Sequence, residues 1–108
     1  MLDISPRKVA QVVLMGRELG RAERELRGFF ESLNEEEMVS LVAIMWVGRE
    51  SFDADDINEA LRTAREERTA PSADYLLGTP HLSDHLENGM DALGVSLMDD
   101  EDDLLSGH

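Results

Sequence analysis

The chain has 108 residues, no cysteine and a formal net charge of −14 at pH 7. This length is typical of one domain, and the lack of cysteine excludes disulfide and thiol chemistry. A surface this acidic repels phosphates, so we expect no direct binding to nucleic acid or to an anionic membrane. The longest apolar run, 41–47, is far shorter than the ~20 residues that span a bilayer. Because the N-terminus also lacks the basic-then-apolar order of a signal peptide, we expect a cytoplasmic protein.

Two helices are predicted in the first third of the chain. Ser5 and Pro6 mark the start of a helix over 6–19, since serine caps a helix and proline fits its first position. Gly16 lies in the apolar face of this helix, where the missing side chain allows a second helix to come close. The next helix, 22–33, carries an apolar stripe at helical spacing, formed by Leu26, Phe29, Phe30 and Leu33.

The third predicted helix, 35–47, is apolar on every side, and Ser40 alone interrupts the apolar surface. A capping box marks its start, because Asn34 and Glu37 are spaced to accept each other's backbone N–H groups. A helix that is apolar all round is buried all round. Two explanations remain open, since either the rest of this small domain covers the helix or a second subunit covers one side of it.

The following segments predict a surface helix and then a sharp corner. Helix 54–68 has only a narrow apolar stripe, which indicates that most of its surface faces water. Pro71 then ends the helical pattern or bends the chain.

The stretch YLLGTPHLSDHL predicts two helices joined by a tight turn. A short helix at 73–77 would end at Gly78 in the left-handed conformation. Thr79 would then cap the next helix, 80–93, and Pro80 would begin it.

These patterns together predict an all-α fold, a compact bundle of about five to six helices. The bundle occupies 1–97 as a single domain, and Gly94 ends its last helix. The remaining residues, 98–108, read MDDEDDLLSGH, and we expect them to form a disordered acidic tail.

Three sequence blocks carry a resemblance to a known family. They are SLNEEEMVSLVAIMWVGR at 32–49, ERTA at 67–70 and YLLGTPHLSDHLENGMDALG at 75–94. In this order they resemble the domain of unknown function 3775 family, over most of residues 5–96 and loosely in the first helix. The resemblance implies a small, all-helical bacterial protein. It implies no activity and no site residues, since the family has no established activity.

The spacing of two histidines is the only pattern that suggests a metal site. His81 and His85 are four residues apart on a predicted helix, a spacing that can present two nitrogens to one metal ion. The sequence marks no third ligand, so we expect a solvated His81, a His85 beside the apolar stripe, and neither metal nor cofactor. The chain also has no nucleophile elbow and no phosphate-binding loop, and Lys8 is its only lysine. We therefore expect no catalytic residues and no enzyme activity.

Three further residues are candidates for an interaction or ligand-lining role, together with the two histidines. Arg68 lies at the edge of an apolar stripe and should seek a carboxylate partner. Tyr75 begins the leucine-rich corner and should bury its ring while its hydroxyl finds a partner. These two either tether the last helices or line a pocket for a ligand or peptide. Trp46, the only tryptophan, belongs either to the core or to an interface.

The sequence favours a helical protein-interaction module as the function. We expect it to self-associate, as a homodimer, or to be a subunit of an assembly, through apolar contact that persists in high salt. The alternative is an acidic mimic that occupies a basic, nucleic-acid-binding protein, through contact that weakens in salt. The third hypothesis is a small metal-binding or enzymatic protein. It requires a third metal ligand, which the sequence does not indicate.

Overall fold

The computed structural model describes residues 2–17, 23–66 and 72–95, and the described residues form six α-helices and no strand. The predicted all-α bundle is therefore confirmed. The helices are α1 (Pro6–Gly16), α2 (Glu23–Ser32), α3 (Glu35–Gly48), α4 (Ile57–Glu66), α5 (Ser72–Leu77) and α6 (Leu82–Ala92), with a 3-10 turn at Ala54–Asp56 before α4. None of the described helices has the length and apolar character that a membrane span requires. The acidic tail and Arg68 lie outside the described residues.

Among the boundaries that adjoin described residues, three differ from the predicted ones by two residues or more. Helix α1 ends at Gly16, not at residue 19, because Arg17 turns back and donates its N–H to the carbonyl oxygen of Leu14. The segment before α4 is a 3-10 turn, so the α-helix begins at Ile57 and not at residue 54. Helix α6 begins at Leu82, two residues later than predicted. Local sequence patterns locate helix ends less accurately than helix centres, because the ends depend on turn geometry.

Helix α3 is the centre of the bundle, as its apolar sequence predicts. The capping box is present, with Asn34 Oδ1 accepting from the Glu37 N–H at 2.8 Å and Glu37 Oε1 accepting from the Asn34 N–H at 3.0 Å. Every residue from Glu37 to Val47 is buried except Trp46, which is half-buried. Helices of the same chain provide this cover, so the explanation by a monomer core is the one the structure supports. Helix α3 thus presents no bare apolar face, and the expected self-association stays a prediction.

Three glycines allow the helices to pack closely against one another. Helix α3 packs most extensively against α6, and a Cβ added to Gly48 would lie 1.6 Å from the carbonyl oxygen of His85. From the other side, a Cβ added to Gly89 would lie 2.2 Å from the carbonyl oxygen of Ile44. Helix α1 meets α6 through a side chain, because Gly16 makes room for the Ser83 hydroxyl. The close approach predicted at Gly16 is thus confirmed, and its partner is α6.

The corner between α5 and α6 forms differently from the sequence-based prediction. Gly78 is not left-handed; the left-handed residue is His81, with φ 58° and ψ 34°. Thr79 does not cap α6 but donates from Oγ1 to the carbonyl oxygen of Tyr75, which closes α5. Pro80 lies in the turn and not in α6. The chain needs four residues between these helices, so its left-handed step comes directly before α6 and not directly after α5.

The N-terminal segment is held on the start of α3 by polar contacts. Lys8 Nζ donates to Glu37 Oε2 at 2.6 Å, and the Asp3 N–H donates to the buried Ser40 Oγ at 2.9 Å. The Glu37 carboxylate is buried, and it accepts hydrogen bonds from both Lys8 and the backbone of Asn34. These bonds, that of Lys8 first, lower the pKa of Glu37, although burial acts in the opposite direction.

Replacing Gly48 with alanine is expected to lower the free energy of unfolding by about 3 kcal/mol, because the added methyl group overlaps the backbone of α6. The matched control is Gly28→Ala on α2, where an added Cβ has no described heavy atom within 4 Å. This control should raise stability by up to about 1 kcal/mol, through the higher helix propensity of alanine. Urea denaturation of the two variants checks both signs, and equal midpoints would contradict the described packing.

Replacing Glu37 with glutamine is expected to lower stability near neutral pH and to have a smaller effect in acid. Because the folded state lowers the pKa of Glu37, its ionised form stabilises the fold fully above the unfolded value of about 4.3. That contribution is lost as the pH falls through the lower, folded value. Denaturation at a series of pH values should show the difference between wild type and variant narrowing in acid. The control is Glu25→Gln at an exposed site of α2, and a difference that does not change with pH would contradict the role of Glu37.

Candidate functional site

Three of the five aromatic residues of the chain gather at one place on the surface. The rings of Trp46 and Phe52 stack with centroids 5.6 Å apart and an interplanar angle of 26°. The Trp46 indole N–H donates to Tyr75 Oη at 2.9 Å. Together with Arg49 and Ser51, these residues form what we call the Trp46 cluster. It combines an apolar stack with polar groups that are open to solvent.

The end of α3 determines how the Trp46 cluster is assembled. Glu50 is left-handed, with φ 67°, and its N–H donates to the carbonyl oxygen of Val47 while the Ser51 N–H donates to that of Trp46. This is the Schellman arrangement, which reverses the chain over the last helical turn. Phe52 is thereby brought back onto the ring of Trp46. A non-glycine residue in this conformation costs about 1–2 kcal/mol, which the surrounding contacts must offset.

The guanidinium of Arg49 connects the turn to α5. Its Nε–H donates to Ser51 Oγ at 3.1 Å, and its Nη2 donates to Tyr75 Oη at 3.3 Å. Among the described residues Arg49 forms no ion pair with a carboxylate. Four other described arginines each bind one or two carboxylates: Arg17, Arg27, Arg62 and Arg65. Arg49 is therefore a cation whose recorded partners are neutral hydroxyl groups.

The structure brings together two of the sequence-predicted site residues. Trp46 and Tyr75 are in direct contact, although 29 positions separate them in the sequence. The position of Arg68 cannot be compared, since it lies outside the described residues. The described arginine on Tyr75 is Arg49, which the sequence reasoning missed. One signal was present, because Arg49 is the only basic residue between 31 and 61, among nine acidic ones.

The two histidines do not form the pair that their spacing suggested. His81 is exposed and left-handed in the turn before α6, whereas His85 is half-buried within the helix. The premise of two side chains one turn apart on the same helix is therefore wrong. Within the described ranges, no group of three His, Cys, Asp or Glu residues is arranged to hold a metal ion.

A cavity of about 370 Å³ lies beside the α5–α6 corner, with His81 in its wall. Its apolar lining includes Leu26, Leu77 and Leu82. Arg17 also lines it, but its guanidinium already donates hydrogen bonds to the carboxylates of Glu87 and Asp84, which raise the pKa of Arg17. The cavity therefore has no recorded cation without a carboxylate partner, whereas the Trp46 cluster has Arg49, so the cluster is the better candidate for binding a charged ligand.

Comparison with known proteins identifies a family but no characterised relative. The model of the family described as "Protein of unknown function (DUF3775)" matches residues 23–95, about two thirds of the chain. The matched range contains all three sequence blocks of the resemblance and the whole Trp46 cluster, while α1 lies before it. No curated protein and no solved structure matches. The chain belongs to the DUF3775 family.

Proposed function

We propose that the protein is a non-catalytic protein-interaction module and that the Trp46 cluster is its contact surface. The observation that carries this proposal is the meeting of the only tryptophan and the only tyrosine with Arg49 at the surface. Trp, Tyr and Arg are the residue types most enriched among those that dominate binding energy at protein interfaces. Tyr75 remains 40% exposed, so its ring still has surface to bury against a partner.

The partner that this surface favours is another protein and not a second copy of the chain. Self-association was expected because α3 is apolar on every side, and helices of the same chain cover α3. The Trp46 cluster is smaller and more polar than such a bare face. A small surface with a few strong contact residues is typical of an interface between different proteins in an assembly.

A second candidate function is that of an acidic mimic that occupies a basic protein. The observation that favours it is the pairing of basic side chains within the chain. Lys8 and four described arginines are bound to carboxylates, in a chain with 24 acidic and 10 basic residues. Apart from Glu36 and Glu37, the acidic residues that the structure describes are exposed, and they attract cationic surfaces. Such a complex would weaken as salt is added, whereas contact through the stacked rings of the Trp46 cluster would persist.

Photo-crosslinking in living cells tests the contact surface directly. A photoreactive phenylalanine analogue replaces Phe52 in one strain, and the exposed Gln11 of α1 in a control strain. We expect an adduct with another protein from position 52 and not from position 11, with the partner identified by mass spectrometry. The adduct should disappear when Arg49→Gln is added to the position-52 variant. Adducts of equal yield at both positions, or none at position 52, would contradict the proposal.

Replacing Tyr75 with phenylalanine is expected to lower the free energy of unfolding by about 1 kcal/mol, because the hydroxyl accepts two hydrogen bonds. The emission of Trp46, the only tryptophan, should also shift, since its indole N–H exchanges this partner for water. If Tyr75 serves only to tether α5 to α3, the position-52 adduct will survive this substitution. If the Trp46 cluster is the contact surface, the adduct will be lost while the protein stays folded.

A further inference from the structure

We infer that Arg49 and Tyr75 form a carboxylate-binding site and that its occupant is the acidic segment of this same chain, residues 98–105. The inference rests on the proposed function in one respect, because both use the Trp46 cluster. A protein partner would have to displace the acidic segment from that surface.

The first argument comes from the proton of the Tyr75 hydroxyl. A phenol oxygen has one proton to donate, and it also accepts hydrogen bonds. The Trp46 indole and the Arg49 guanidinium both donate to this oxygen, at 2.9 and 3.3 Å. With its accepting side occupied twice, the hydroxyl directs its own proton elsewhere, and the structure records no acceptor for it among the described residues. The Tyr75 hydroxyl can therefore donate its proton to an oxygen atom from outside the described residues.

The second argument comes from the charge of Arg49. Its guanidinium has five N–H donors, of which the described contacts use two. The remaining donors belong to the planar end that binds carboxylates in a bidentate manner. In a chain of net charge −14, Arg17, Arg27, Arg62 and Arg65 have carboxylate partners, whereas Arg49 has none among the described residues. Arg49 and the Tyr75 proton together thus offer a positive charge and a hydrogen-bond donor within about 3 Å of each other.

The third argument is the match between the acidic segment and this surface. The segment MDDEDDLL has five consecutive carboxylates, from Asp99 to Asp103. Apolar side chains flank them, with Met98 before and two leucines after. A carboxylate on Arg49 would therefore place an apolar neighbour within reach of the Trp46–Phe52 stack, which is only half-buried. Charge and apolar surface are complementary in the same short stretch.

The fourth argument is reach. Gly48 lies against His85 and Ile44 lies against Gly89, so α6 runs antiparallel to α3. From His85 to Val95 the chain advances about 15 Å along that direction, at about 1.5 Å per residue. An extended chain covers at most about 14 Å from Val95 to Asp99 and about 28 Å from Val95 to Asp103. Arg49 adjoins Gly48, so the tail must return about 15 Å along α3, and the extended chain from Val95 covers this distance before it reaches Asp103. The described helices do not need to move.

A spin-label experiment on the full-length protein tests the inference. The chain has no cysteine, so Ser106→Cys provides one attachment site for a nitroxide label. Trp46 supplies the only indole N–H resonance in a ¹⁵N-labelled sample. In low salt we expect the label to broaden this resonance strongly, compared with the same sample after the nitroxide is reduced. The broadening should be lost in high salt, because the attraction is electrostatic.

Two variants assign the contact. Arg49→Gln removes the charge of the site, and neutralising the five carboxylates with Asp→Asn and Glu→Gln changes only the segment. Each variant should abolish the broadening, and the combined variant should behave like either one alone. The second variant alters no described residue, so it remains informative if the first one perturbs the fold. Broadening that survives either variant would overturn the inference.

A mixed sample identifies the chain to which the occupant belongs. Spin-labelled chains without ¹⁵N are mixed with ¹⁵N-labelled chains without a label. A contact within one chain leaves the Trp46 resonance sharp in this mixture, as we expect, whereas broadening would assign the occupant to a second copy and overturn the inference. A sharp resonance in the fully labelled sample would also overturn it. If the inference fails in this way but position 52 still crosslinks to another protein, the proposed function is retained.

Discussion

The contact between the backbones of α3 and α6 is the constraint on which the rest of the structure depends. At Gly48 and Gly89 the two helices approach so closely that neither position has room for a methyl group. This approach allows α6 to cover one side of the central helix with almost no intervening side chain. It also carries Ser83 to α1, where its hydroxyl donates to the carbonyl oxygen of Val13 at 2.8 Å. Helix α6 is thus fixed against α3 and α1 by contacts that leave no room for larger side chains at the glycine positions.

The same contact explains why the surface cluster has its present shape. Glycine usually provides the left-handed residue after a helix, but Gly48 is still within α3, where it faces α6. The left-handed step therefore falls on Glu50, two residues later. That delay places Arg49 at the end of the helix, beside Tyr75, and it returns Phe52 to the ring of Trp46. The polar and aromatic parts of the cluster follow from a packing requirement on the opposite side of the helix.

The features that could be predicted from the sequence depend on neighbouring residues alone. The three-residue spacing of Asn34 and Glu37 predicts the capping box, and the apolar run that follows predicts the burial of α3. Gly94 also follows the end of the last helix, as predicted, and it is left-handed, with φ 78°. The features that could not be predicted depend on distant parts of the chain. Local patterns do not tell a glycine needed for helix contact from one needed for a turn, and they do not reveal that Arg49 and Tyr75 meet. Trp46 and Tyr75 were identified as candidates, but their contact and the arginine between them were not.

The burial of α3 has a consequence for the chain before it folds. Residues 41–47, LVAIMWV, lack charge and proline and include β-branched side chains, so they are a strong candidate for cross-β aggregation when exposed. Their main cover, α6, is about 40 residues further along the chain. During synthesis this stretch therefore emerges well before its partner. Three glutamates in the first turn of α3, and the net charge of −14, keep such chains apart through mutual repulsion. The acidity of this protein thus protects an interior that it assembles late.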